Sequence, residues 1–340
     1  MIQRFWYCFI SIFAAGVLEA QAVLPADPVS LPVAIDSNSA TLWYGNSLLI
    51  YNSTGSPNVT IIAGDIRTVA VGIDTTDHFP MWIESVWRSP EGRVFAWYHY
   101  ERVGECPGTT LNIPEIGALV SDDGGMNFHD LGIVLKSGEP KDCSSQNGYF
   151  AGGHGDFSVI PDREGRYFYF LFDVYDGDVS EQGVAIARMA VADLEAPVGG
   201  VWKYHLGSWT EPGVGGRVTP VFPATVSWQQ PDTDSFWGPS VHWNTYLEKY
   251  VLLMNRSCCE PGWPQEGVYM SIAGDITDPT SWSKPVKILD PGDWYPWVLG
   301  VGPGESSSEA GQIVRLFVRN FSEWAIDFGA EPESGSDGAP

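Results

Sequence analysis

Four carboxylates in this 340-residue chain stand beside short apolar runs, where acid–base chemistry could be placed. Asp156 lies between Gly155 and Phe157 behind His154, a setting able to shift its proton affinity. Glu84 interrupts Met81-Trp-Ile-Glu-Ser-Val-Trp87, where an unpaired charge is expensive unless it faces an open channel. Glu266 precedes a strand in Pro-Gln-Glu-Gly-Val-Tyr269, and Asp36 opens Asp-Ser-Asn-Ser39. Three have a bland alternative: Asp156 and Asp36 as turn caps, Glu84 as a solvated position on an outer strand. His99, Glu101, His154, His242 and Arg256 add hydrogen-bonding groups, and Trp237, Trp294 and Tyr295 add aromatic faces. Together they suit an uncharged, polyhydroxylated ligand, whose rings stack on flat side chains while its hydroxyls find planar or charged partners. A lone Trp or His is more often core, so their weight comes from recurrence at equivalent places.

The elements that must position them form a repeat. A turn-rich approach, a short apolar strand, a polar turn and a second strand run through Phe157 to Ile160, Asp162 to Gly165 and Arg166 to Phe172, the last aromatic on both faces. The same unit returns from Trp237 to Asn255 and from Trp82 to His99, aligned on Ser158-Val159, Ser240-Val241 and Ser85-Val86. A weaker copy pairs Trp294 to Leu299 with Val314 to Arg319. Anchors roughly 55 to 80 residues apart suit elaborated four-stranded blades. Ala40 to Tyr44 and Ser47 to Asn52, a hairpin over Gly45-Asn46, make a fifth blade, which the C-terminal strand Trp324 to Phe328 is expected to complete. The fold class is therefore all-β, a five-bladed β-propeller with four-stranded antiparallel blades around a central funnel. In such a fold the innermost strand of each blade lines the channel, so Asp36, Glu84, Asp156 and Glu266 are expected to converge at its mouth.

Residues 1 to 22 read as a signal peptide: Arg4, an apolar run from Phe5 to Val17, and Ala20-Gln-Ala22 at the peptidase positions. Residues 23 to 328 read as a single propeller domain and 329 to 340 as an acidic, disordered tail. The expected location is secreted, extracellular or periplasmic. Cys106 and Cys143 are expected to pair, whereas Cys258 and Cys259 either bridge one another or find other partners. No His/Cys spacing matches a zinc site, and no metal or cofactor is expected. The 15 Trp and 13% aromatic content belong to a folded chain, so the net charge of −24 is an acidic surface that disfavours nucleic acid and anionic membrane. The expected partner is a neutral oligosaccharide or polysaccharide, with no membrane association after cleavage of the leader, and the expected state is monomeric. Sequons begin at Asn52, Asn58, Asn255 and Asn320.

Ser121-Asp-Asp123-Gly-Gly125-Met-Asn-Phe128 fits the Asp-box pattern, in which an Asp caps a hairpin and an aromatic packs between blades, and it resembles the boxes of sialidase-type propellers. Gly155-Asp-Phe-Ser-Val, Asp162-Arg-Glu-Gly-Arg-Tyr167 and Trp237-Gly-Pro-Ser-Val-His242 resemble the blade starts of five-bladed β-propeller glycoside hydrolases, the arabinanase and β-xylosidase group with its invertase-like relatives. The resemblance spans most of residues 30 to 328 on degenerate motifs. It implies a glycosidase that works with paired carboxylates in the funnel, one protonated and one activating water or attacking directly. It places Asp156 where the group has an acid-tuning Asp. The group's catalytic acid precedes Gly-Pro in a later blade, and in this chain that place is Trp237. A lectin-like propeller that binds glycan without turnover is the alternative. A sialidase is a weaker one, since no arginine cluster awaits a substrate carboxylate.

Overall fold

The computed structural model describes residues 21–31, 39–52, 58–63, 65–290 and 292–330. Asp36, residues 1–20 of the expected leader and residues 331–340 of the expected tail lie outside the described residues. Strand β1 is Ala22–Ser30. Blade I holds β2 (Ser39–Tyr44), β3 (Ser47–Asn52), β4 (Asn58–Ala63) and β5 (Asp65–Ala70). Blade II holds β6 (Gly72–Ile73), β7 (Met81–Arg88), β8 (Val94–Arg102), β9 (Ile113–Ser121) and β10 (Asn127–Leu135). Blade III holds β11 (His154–Pro161), β12 (Tyr167–Val174), β13 (Gly183–Ala190), β14 (Val201–His205), β15 (Ser208–Pro212) and β16 (Phe222–Pro223). Blade IV holds β17 (Ser235–Asn244), β18 (Lys249–Ser257), β19 (Gln265–Ala273), β20 (Val286–Leu289) and the short β22 (Glu309–Ala310). Blade V holds β21 (Pro296–Gly300), β23 (Ile313–Val318) and β24 (Phe321–Asp327), with β1 as its outermost strand.

The chain is thus a five-bladed β-propeller of small, mainly antiparallel sheets, closed by the pairing of β1 with β24. Closure departs from the sequence expectation. The hairpin β2–β3 builds blade I with β4 and β5, and β24 is completed by Ala22–Ser30 instead. That stretch holds Pro25 and Pro28, weak strand formers that an edge position tolerates.

Period-two alternation explains how the blades stack. On β12, Phe168, Phe170 and Phe172 enter the core shared with blade II, beside Trp97 and Phe95. Tyr169 and Leu171 enter the core shared with blade IV, beside Leu252 and Met254. Both faces of the strand are buried, which is why its aromatic run has no polar side. Smaller cores join blades IV and V and blades V and I, the last built on Trp297 stacked over Phe317 with ring centroids 4.5 Å apart. Between blades I and II, Phe128 meets Tyr51 edge-on at 5.8 Å. The Asp123 carboxylate ties the preceding turn by accepting from Met126 N at 3.1 Å and Asn127 N at 2.9 Å.

The Ser-Val anchors have a specific task. Ser85 Oγ accepts from Val159 N at 2.8 Å, and Ser158 Oγ accepts from Val241 N at 3.2 Å, so these two anchor serines fasten blade II to III and blade III to IV. Thr41 and Ser307 close the ring reciprocally: Thr41 N donates to Ser307 Oγ at 3.2 Å. These residues line a central cavity of about 20 Å³, room for about one water, so no sugar threads the axis and any ligand must sit at its mouth.

Cys106 is paired with Cys143, Cα atoms 5.4 Å apart, and Cys258 with Cys259. Asn255 and Asn320 are buried, so the last two sequons are not glycan acceptors in the folded chain.

Candidate functional site

Inner strands β7, β11 and β17 each break register at the same level. The extra residues are Glu84 between Ile83 and Ser85, Asp156 between Gly155 and Phe157, and Gly238-Pro239 between Trp237 and Ser240. A bulge turns a side chain out of the alternation, and here it turns two carboxylates toward one point. Asp156 takes a positive φ of 39°, a conformation an Asp accepts more readily than most residues. Gly155 is required beside it, since a Cβ there would lie 2.9 Å from His99 Cε1 and 2.6 Å from Pro114 Cβ.

The point of convergence is the buried imidazole of His99, on β8. Its Nδ1 lies 3.3 Å from Glu84 Oε1 and from the Asp156 backbone nitrogen, and 3.7 Å from Asp156 Oδ1. Its Nε2 is 3.7 Å from Glu101 Oε1 and has no hydrogen-bond partner among the described residues. Glu84 Oε2 accepts from Phe157 N at 3.0 Å, and Glu101 Oε2 accepts from Asn112 Nδ2 at 2.6 Å. Ligand atoms of Glu84, His99 and Asp156 all lie within 4.8 Å of one another. Tyr175 donates its hydroxyl to Asp156 Oδ2 and lies 3.3 Å from Asp173 Oδ2. Asp173 also accepts from Gly238 N at 2.8 Å, which brings blade IV in through its backbone.

Burial raises the Glu84 carboxyl above its ordinary range, with the Asp156 charge adding to the rise and His99 opposing it. Burial, then the charges of Asp156 and Glu84, push Asp173 well above the usual carboxylate range. Burial also raises Glu101. For His99 burial works toward the neutral ring, but the charges of Glu84, Asp156 and Glu101 outweigh it and keep the imidazole protonated up to about 9. The Tyr295 side chain, just before β21 of blade V, also hydrogen-bonds Asp156, and burial and the charges of Asp156, Glu84 and Glu101 push its phenol well up. Its strained backbone, φ 56°, is held by Asn255 Oδ1 accepting from Tyr295 N at 2.8 Å.

Of the other sequence candidates, Glu266, Arg256, His242 and His154 have their partners outside this cluster. Glu266, expected as a displaced acid, is the second residue of β19, the third strand of its blade, and pairs with Lys287 and, at 3.9 Å, with Arg256. Burial nudges its carboxyl up, but hydrogen bonds from Lys287 and Tyr269 and the nearby cations win and hold it below the ordinary range, the opposite of an acid that must keep its proton. Arg256 is committed to a two-point pair with Asp234, at 2.9 and 3.0 Å. His242 is buried against Phe328 of blade V at 6.0 Å, its pKa depressed to about 3 by burial, a neutral core residue and not a ligand contact. His154 is buried over Phe172 with Nε2 3.8 Å from Asp176 Oδ1. Trp237 is fully buried, its Nε1 donating to Gln265 at 2.8 Å, so it is no open stacking platform. It meets Trp263, Trp294 and Tyr295 edge-on at 5.4 to 5.6 Å, an aromatic wall in which Trp294 and Tyr295 are the half-buried members.

Asp173 and Tyr175 were not singled out from the sequence. A carboxylate closing the apolar run Tyr167 to Phe172, followed two residues later by a tyrosine, was the available signal.

No family model and no curated protein matches the chain. Solved structures similar to it include the putative exo-β-1,3-galactanase of Bifidobacterium bifidum, 13% identical, covering 87% of each chain with a TM-score of 0.49. An exo-β-1,3-galactanase of Phanerochaete chrysosporium is 11% identical, covering 90% of this chain and 63% of the other, with a TM-score of 0.49. The endo-1,5-α-L-arabinanase of Thermotoga petrophila is 13% identical, covering 89% of this chain and 72% of the other, with a TM-score of 0.47.

Proposed function

We propose that this protein hydrolyses a glycosidic bond of an uncharged carbohydrate at the mouth of the channel, with Glu84 and Asp156 as the working carboxyl pair. The observation that carries this reading is the convergence of Glu84 and Asp156, from bulges on adjacent inner strands, on one buried imidazole that Glu101 also faces. Cleavage of an acetal needs one carboxyl that retains its proton for the departing oxygen and another that activates water or attacks the anomeric carbon. Burial works against a bare Glu84 carboxylate, and the proton that Glu84 and His99 hold between them across 3.3 Å suits this pair to the first role, with Glu84 as its carboxyl, while Asp156 takes the second. Tyr175 and His99 orient the pair. A sugar hydroxyl between His99 Nε2 and Glu101 Oε1, now 3.7 Å apart, would bond to both.

Glycan capture without turnover is the second reading, favoured by the blade IV bulge, which carries Trp237-Gly238-Pro239 and no carboxylate. Wild type, Asp156→Asn and Glu84→Gln are to be assayed on aryl glycosides and on β-1,3-galactan, 1,5-α-arabinan and xylan, with binding measured in parallel. The expected result is turnover of at least one substrate, reduced at least 100-fold in Asp156→Asn, in line with the usual worth of acid–base catalysis. Binding without turnover in the wild type supports the second reading, and unchanged turnover in Asp156→Asn removes that residue from the chemistry. Export belongs to the same proposal, supported by the Cys106–Cys143 pair and by the Ala20-Gln-Ala22 pattern. N-terminal sequencing of extracellular or periplasmic protein should find a start near Val23.

A further inference from the structure

Blade III carries two strands more than the four-stranded unit needs, β15 and the short β16, and Trp202 and Trp209 on β14 and β15 serve neither the channel nor the repeat. On β13, Arg188 stands in register with Tyr169 of β12 on one side and Trp202 of β14 on the other, so all three project from one face of the sheet. The Arg188 guanidinium lies 4.5 Å from the Tyr167 ring centroid and 4.8 Å from that of Trp209. Trp209 is braced in turn by Tyr169 at 5.7 Å and Tyr204 at 5.2 Å. Trp202, at the edge of this layer, is 43% exposed. Tyr167, Arg188, Asp193, Trp202, Trp209 and Thr210 line a cleft of about 410 Å³ on the peripheral side of the blade, whereas the channel is lined by the innermost strands.

The cleft falls within the size range of small-ligand sites, about 300 to 1,000 Å³. Its chemistry combines a flat exposed indole, a guanidinium held by the rings around it, and the Asp193 carboxylate. An apolar sugar face can lie on the indole while hydroxyls bond to the guanidinium and the carboxylate. One arginine on a chain of net charge −24 gives a polyanion no field to enter, so the fitting ligand is neutral. We propose that this cleft is a second carbohydrate-binding site, which holds one saccharide unit of a polymer while the channel mouth engages another. The inference rests on the carbohydrate reading of the channel, and its test separates the two.

Full-length wild type, Trp202→Ala and Asp193→Asn are compared for retention on β-1,3-galactan, 1,5-α-arabinan and xylan, and for turnover of aryl glycosides too small to reach the cleft. Trp202 is exposed, so its truncation should leave the melting temperature near that of the wild type. The expected result is at least tenfold weaker retention for both variants, with aryl glycoside turnover within twofold of the wild type. Polymer retention equal to the wild type in both variants overturns the second site and leaves the channel reading intact. A wild type that neither retains nor cleaves any of these glycans overturns both. Loss of retention accompanied by a change from dimer to monomer on gel filtration assigns the face to self-association and likewise overturns the proposal.

Discussion

Replacing Glu84 by Gln tests the electrostatics of the candidate site without emptying it. The amide oxygen can still accept from Phe157 N, now 3.0 Å from Oε2, so the contact between blades II and III survives. What disappears is the main charge that keeps His99 protonated up to about 9. A folded-state value above the unfolded 6.5 means that the ring stabilises the fold fully below about 6.5, and that this contribution is lost as pH rises through about 9. A rise of that size corresponds to roughly 3 kcal/mol, or on the order of 5 °C in melting temperature for a domain of this length. Glu84 and Asp173, whose carboxyls are also raised, act in the same direction, losing their stabilisation as pH climbs. The wild type should therefore melt several degrees lower at pH 9.5 than at pH 6.5, and Glu84→Gln should flatten that slope. The His99 ring resonances should titrate near 9 in the wild type and at a clearly lower pH in the variant. A wild-type melting temperature independent of pH across this window, or a slope unchanged by the substitution, would refute the reasoning.

Three further outcomes follow from the same geometry. Ser85→Ala removes the acceptor of Val159 N and leaves a buried donor unmet, so chemical denaturation should show a loss of about 1 to 3 kcal/mol. Glu266→Gln weakens an ion pair to Lys287 away from the carboxylate cluster, so turnover should stay within about twofold of the wild type; a 100-fold loss would return Glu266 to the chemistry. Replacing both Cys106 and Cys143 by Ser opens a loop of sequence separation 37 and should cost roughly 4 kcal/mol by chain entropy, read as a lower denaturation midpoint.

The fold was legible because blade packing leaves local marks. An aromatic run polar on neither face, such as Tyr167 to Phe172, fits only a strand buried on both sides, and the Ser-Val anchors recur because the same hydroxyl-to-backbone bond recurs between blades. Glu84 and Asp156 were legible for a related reason, as charges set into apolar inner strands. Closure was not legible. Ala22–Ser30 has two prolines and weak alternation, and only its pairing with β24 makes it a strand. Exposure of aromatics was not legible either. Trp237 and Trp202 look alike in sequence, but one is sealed inside a wall of rings and the other stands on a peripheral hairpin.

The chemistry and the architecture use neighbouring hydrogen bonds, and this limits what any substitution at the site can mean. Glu84 Oε2 receives Phe157 N one step from where Ser85 Oγ receives Val159 N, so the candidate acid belongs to the ring that sets the spacing of blades II and III. Asp173 receives Gly238 N and spans blades III and IV in the same way. Asp156 differs from both. Its partners are the Tyr175 and Tyr295 hydroxyls and the His99 ring, and no backbone group of a neighbouring blade donates to its carboxylate among the described residues. Truncating Glu84 or Asp173 would therefore move blades as well as protons, whereas Asp156→Asn changes the charge at the centre of the cluster and leaves the inter-blade ring in place. A loss of turnover without a loss of stability is accordingly most diagnostic at Asp156.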